Sequence, residues 1–245
     1  MTEERKQEIL EIIRNTNRRP AQTGKPLYPE EIMAYPNLCE EMESISRTVD
    51  GFSYRMDILR AKNRGENCPL FINIHGGGFI GPHRENDTYF SAYMADQIHG
   101  ITVDLDYTLS DAAPYPVALH QCMDALDYVA EHANTWGTSA KDISVGGYSA
   151  GGALTAAMGI CCAERGGFVP KLQILCYPPL EYRIPDQYKI DAYDRQIGME
   201  RCKAFADLYF DDKKENFEDI HNSPLYAPRE ILAKQPKTLI LSAGL

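Results

Sequence analysis

Apolar positions along the chain change period several times, and each change predicts an element. Residues 2–14 place Ile9, Leu10, Ile12 and Ile13 on one side of an otherwise charged stretch, with Thr2 where an N-cap belongs. That spacing predicts an amphipathic helix. From Asn15 to Glu43, Pro20, Pro26, Pro29 and Pro36 break any regular pattern, which predicts a flap or cap segment lying over something else. Strict alternation then appears at 45–49 and 54–59, separated by Asp50-Gly51, a hairpin signature. Continuous apolar runs follow at 70–74, 101–105, 143–145, 172–176 and 238–241, reading as buried strands. Helical patterns at about 88–99, 116–133 and 151–165 lie between them. Strand and helix in alternation predict an α/β fold whose mostly parallel sheet carries helices on both faces. Residues 181–223 interrupt the rhythm with a Tyr-rich insertion holding one helix near 199–210, which predicts a lid element. The expected organisation is an N-terminal helix and cap segment over 1–43 and a core over 44–245 with a cap insertion at 181–223.

Composition narrows the partners. The 245 residues carry no repeat of 20 to 50 residues and suit one domain. With 25 Lys+Arg against 35 Asp+Glu, a net charge of -10 and no basic run, nucleic acid is not an expected partner. The N-terminus lacks the apolar core of a signal peptide and no stretch reaches the length of a membrane span, so a soluble, cytoplasmic protein is expected. Seven cysteines are an odd number without a CxxC, and adjacent Cys161 and Cys162 have no nearby histidine. Reduced thiols, no metal and no cofactor are expected.

Two glycine motifs carry the chemistry. Gly147-Tyr148-Ser149-Ala150-Gly151 matches G-x-S-x-G between a strand and a helix. In that context the sharp turn strains the serine backbone and lifts the hydroxyl of Ser149 to the carboxyl ends of the strands, whereas a plain Gly/Ser-rich turn would match by chance. His75-Gly76-Gly77-Gly78-Phe79 follows an earlier strand. Its glycines can aim N–H groups at the oxyanion of a tetrahedral intermediate. Gly77, Gly78 and Ala150 are the candidate donors. His75, Gly76, Gly147 and Gly151 are supporting residues, with His75 orienting the loop rather than acting as a base. A competing pattern exists, because Gly76 to Gly81 also fits G-x-G-x-x-G, with Asp104 further along. A dinucleotide site needs a helix opening on those glycines, and residues 82–87 are expected to intervene.

Together the two motifs resemble the hormone-sensitive-lipase-like branch of the α/β-hydrolase esterases. The segments Asp106-Tyr107-Thr108-Leu109-Ser110 and Tyr115-Pro116 are similar to its "DYRLAPE…(F/Y)P", and Gly147 to Gly152 to its "GDSAGG" with Tyr148 replacing Asp. The resemblance covers about residues 45 to 245. It implies carboxylic ester hydrolysis through an acyl-enzyme on Ser149, acting on a small-molecule ester beneath a cap. It also implies an acid directly after the motif ending at Leu245 and a histidine further on, so the chain is expected to be a fragment or a prematurely ended copy that lacks a final strand and helix and, without that acid and histidine, is at most weakly active. Of the six histidines, His99, His120 and His132 fall on or near helices, and only His83 and His221 stay open as substitute bases. An apolar edge at 238–241 would invite association, leaving a homo-oligomer open. The alternatives are a non-catalytic small-molecule binder of the same fold, as in the related plant gibberellin receptor, and a dinucleotide-dependent enzyme.

Overall fold

The structure, a computed structural model, describes residues 1–16, 30, 35–40, 42–184 and 197–242. Most of the expected flap over 15–43 and the middle of the 181–223 insertion therefore lie outside the described residues, as do Ala243, Gly244 and Leu245. The described strands are β1 (Glu43–Val49), β2 (Phe52–Arg60), β3 (Leu70–Ile74), β4 (Ile101–Asp106), β5 (Ile143–Tyr148), β6 (Leu172–Cys176) and β7 (Lys237–Leu241). They form one seven-stranded sheet in the order β1-β2-β4-β3-β5-β6-β7. The β1–β2 hairpin adds antiparallel to β4, and every pairing from β4 to β7 is parallel. The α/β reading of the sequence holds.

Helices α1 (Glu3–Asn15), α2 (Glu85–Gln97), α3 (Val117–His132), α4 (Ala150–Arg165), α5 (Met199–Tyr209) and α6 (Arg229–Leu232) complete the described architecture. Alternation along β2 sends Tyr54, Met56 and Ile58 into the main core with Leu119, Leu126, Leu154 and Met158 of α3 and α4. Leu59 faces the other way and packs with Ala92 and Ala95 of α2. The sheet is thus covered on both faces. All five residues of β3 are buried, as a central parallel strand requires.

Two boundaries and the burial of one strand, 238–241, differ from the sequence reading. Helix α2 starts at Glu85 rather than near Thr88, because Arg84 and Asp87 form a capping box: the Asp87 carboxylate accepts the Arg84 N–H at 2.8 Å. Strand β5 runs to Tyr148 rather than stopping at Val145, so the strand leads straight into Ser149. At the other end of the sheet, all of β7 is exposed, including Leu239, Ile240 and Leu241 at 46%, 57% and 46%.

Helix α1 begins as expected, with Thr2 Oγ1 accepting the Arg5 N–H at 3.2 Å. Its Ile9 and Ile13 are buried against Ala204 and Leu208 of α5, with Phe205 and Ile80 packed alongside. The N-terminal helix and the insertion helix thereby meet above the glycine loop that contains Ile80. All seven cysteines are free thiols. Among the described residues, no helix is long and apolar enough to cross a membrane, and no group of His, Cys, Asp or Glu is placed to hold a metal ion.

Candidate active site

Ser149 sits between β5 and α4 with φ 54° and ψ -120°, a region that side chains with a Cβ rarely occupy. Main-chain bonds hold it there, since its N–H donates to the Cys176 carbonyl at 2.9 Å and its own carbonyl accepts from Ala153 at 3.0 Å. The glycines around it are required by contact. A Cβ on Gly147 would lie 2.5 Å from the Gly151 carbonyl, and one on Gly151 would overlap the Ile74 carbonyl oxygen. Strand β3 and the start of α4 therefore touch backbone to backbone, which brings the serine turn against the loop that leaves β3.

That loop, residues 75–84, is braced from beneath. His75 is fully buried, stacks on Tyr107 at 4.3 Å and 9°, and places Nδ1 2.8 Å from the Gly76 carbonyl. Tyr107 donates its hydroxyl to the His75 carbonyl at 3.1 Å, and Ser110 donates both its N–H and its hydroxyl to the Phe79 carbonyl. The segment after β4 thus fixes the loop at its first and fifth residues. Burial pushes the imidazole of His75 below its ordinary pKa, so the ring is neutral at neutral pH, and its Nε2 has no hydrogen-bond partner among the described residues. His75 thus lies beneath the loop, in contact with its first glycine.

Gly77 and Gly78 adopt φ of +125° and +63°, and neither N–H enters a main-chain hydrogen bond among the described residues. The Ala150 N–H belongs to the first helical residue, which by geometry lacks an intrahelical acceptor. Ser149, Gly77 and Gly78 are all partly exposed. A strained serine beside three uncommitted amides can present a nucleophile and receive negative charge on an oxygen.

The two histidines left open by the sequence are engaged elsewhere. His83 puts Nε2 2.7 Å from Asp104 Oδ2. Burial opposes its charged form, but Asp104, with Asp87 and Asp106, outweighs burial and raises its pKa. Asp104 is itself buried and accepts from Asn73 at 3.1 Å. It lies within β4 as part of this network, and only residues 82–84 separate Gly81 from α2, fewer than expected. The acidic partner that a ribose would need is nonetheless consumed. His221 has both ring nitrogens occupied, Nδ1 by Asp219 at 2.6 Å and Nε2 by Glu164 at 2.8 Å. The Cys161 side chain, then the Asp219 carboxylate, outweigh burial and raise its pKa to about 10. A ring protonated at neutral pH cannot accept a proton from Ser149.

Sequence reasoning missed three neighbours of the loop. A Cβ on Gly78 would lie 2.5 Å from the ring of Phe205, so α5 lays an aromatic ring directly on this glycine. Tyr177, 57% exposed with φ 41°, follows β6 beside the serine turn, its ring 6.5 Å from that of Tyr148. The Tyr148 hydroxyl donates to Asp87. Only Tyr148 left a trace in the sequence, as a departure from the resembled motif.

Comparison with known proteins agrees with this architecture. The chain is 34% identical to an AB hydrolase superfamily protein of Schizosaccharomyces pombe over 182 residues, covering 72% of this chain and 53% of that protein. It is 29% identical to the hormone-sensitive lipase of Bos taurus over 120 residues, 49% of this chain and 16% of the lipase. The chain thus spans about half the length of the fission yeast relative and far less of the lipase. A thermostable esterase from Pseudomonas putida superposes with a TM-score of 0.71 at 26% identity, covering 97% of this chain and 77% of that one. A family model for the alpha/beta hydrolase fold matches residues 71–245, from the strand that leads into the triple-glycine loop onward, and the chain belongs to that family.

Proposed function

We propose that the protein is a carboxylic ester hydrolase in which Ser149 is the nucleophile and the N–H groups of Gly77, Gly78 and Ala150 receive the oxyanion. The observation that carries this reading is the strained backbone of Ser149, held against a loop whose glycine amides are uncommitted. Strain of this kind is retained where the surroundings over-determine it, and it clusters at reactive sites. The esterase and lipase names of the relatives and of the structural neighbour point the same way. Gly76, Gly147 and Gly151 admit the close backbone contacts, and His75 orients the loop. The helix pair α1–α5 is read as the cap, with Phe205 forming the wall of the substrate site above Gly78.

The reaction follows from these parts. The Ser149 oxygen adds to the ester carbonyl as a base takes its hydroxyl proton, the three amides stabilise the resulting oxyanion, and collapse expels the alcohol, which carries that proton away; water, deprotonated by the same base, then cleaves the acyl-serine and returns the proton to Ser149. Loss of one oxyanion donor typically lowers the rate by about 10² to 10³. The general base is unassigned among the described residues, since His83 and His221 are paired with carboxylates. At most weak hydrolysis of p-nitrophenyl acetate by this 245-residue chain, abolished by Ser149→Ala, is the expected result. Saturable binding of small esters or acids without turnover would favour the non-catalytic binder instead.

A further inference from the structure

The chain carries a tyrosine where the resembled motif has aspartate, and its surroundings give that side chain a specific task. Tyr148 is the last residue of β5, immediately before Ser149. Its main-chain oxygen and ring lie against Gly76: a Cβ there would come within 2.6 Å of the Tyr148 carbonyl oxygen and 2.7 Å of the ring. Its hydroxyl donates to Asp87 Oδ1. The other Asp87 oxygen accepts the Arg84 N–H at 2.8 Å, so the first turn of α2 fixes the orientation of this buried carboxylate. Gly76 opens the triple-glycine loop and Asp87 stands just past its end. One side chain therefore touches the loop at its start and is held by the anchor at its finish.

Rigidity matters here because backbone donors stabilise an oxyanion only when they are already aimed at it. Glycines at positive φ give the loop freedom that other contacts must remove. Within the loop, Gly77 accepts from Gly81 at 2.8 Å and from Ile80 at 3.3 Å and the Gly76 carbonyl meets His75 Nδ1, all contacts made within residues 75–81, whereas Tyr148 ties the loop to β5 and α2. A charged acceptor makes the Tyr148 hydrogen bond a strong one. An ionised aspartate at this position could neither cover Gly76 nor donate to Asp87.

We propose that Tyr148 is a positioning residue that clamps the oxyanion loop, its ring bearing on Gly76 and its hydroxyl tied to Asp87. The proposal rests on the esterase reading of Ser149. Tyr148→Phe keeps the ring and removes only the hydroxyl. Its kcat on p-nitrophenyl acetate should fall by about 10- to 100-fold while KM stays within about twofold, the pattern of misaligned transition-state donors. Hydrogen exchange over residues 75–84 should accelerate by about tenfold, a local opening rather than a global one. Asp87→Asn retains an oxygen that accepts from Tyr148 and should lose less kcat than Tyr148→Phe. A Tyr148→Phe protein with wild-type kcat and wild-type exchange, or one whose KM rises at constant kcat, overturns the clamp and leaves the hydrolase reading intact. A wild-type protein that hydrolyses no ester removes the hydrolase reading and the positioning role together.

Discussion

The backbone of Ser149 offers a test that needs no turnover. At φ 54° and ψ -120°, its Cβ forces a conformation that is unfavourable by roughly 1–3 kcal/mol. Glycine removes that penalty, at a loss of roughly 0.5–1 kcal/mol from its greater freedom in the unfolded chain. The net expectation for Ser149→Gly is a gain of about 0.5–2 kcal/mol. For a chain of this size, where each kcal/mol moves the melting temperature by about 2–4 °C, that is a rise of about 1–8 °C. Ser149→Ala is the control: it deletes the hydroxyl but keeps the Cβ, so its stability should stay within about 0.5 kcal/mol of wild type. Both variants lack the nucleophile, and only one relieves the strain. Differential scanning calorimetry of the three proteins side by side gives the answer. A glycine variant no more stable than the alanine variant would mean that position 149 stores no strain, and the elbow geometry would be wrong.

Other expectations concern the frame around the site. Gly151→Ala forces a Cβ into the Ile74 carbonyl of β3 and should destabilise by at least about 2 kcal/mol, read from the urea midpoint. His221 is more basic folded than unfolded, so its pairing stabilises fully below its ordinary value near 6.5, and that contribution is lost as pH rises through about 10. The urea-midpoint difference between wild type and His221→Gln should accordingly be largest near pH 6 and shrink towards pH 10.5; a difference that grows with pH contradicts the assignment.

The α/β class, the hairpin and every described strand were legible from alternation and apolar runs, because a sheet buried on both faces leaves few other choices at 70–74 or 101–105. The serine turn was legible for a similar reason: Gly147 and Gly151 stand where no Cβ fits, and such positions announce themselves as glycines. Boundaries set by side-chain capping were less visible. Helix α2 begins three residues early because Asp87 reaches back to the Arg84 N–H, a contact with no apolar signature. Long-range polar networks left still less trace. Nothing in the spacing of His83 and Asp104, or of Asp219, His221 and Glu164, announces that they meet, since each pairing depends on how separate elements pack. Phe205 belongs to the same class: its place on Gly78 follows from the docking of α5, not from its neighbours in sequence.

The central claim, that Ser149 is a nucleophile facing backbone donors, is tested most directly by a fluorophosphonate probe followed by peptide mapping. The account predicts one covalent phosphonyl adduct on Ser149, absent from Ser149→Ala and slower to form in Tyr148→Phe. An unmodified Ser149 after prolonged exposure, or an adduct on another residue that persists in Ser149→Ala, would contradict it.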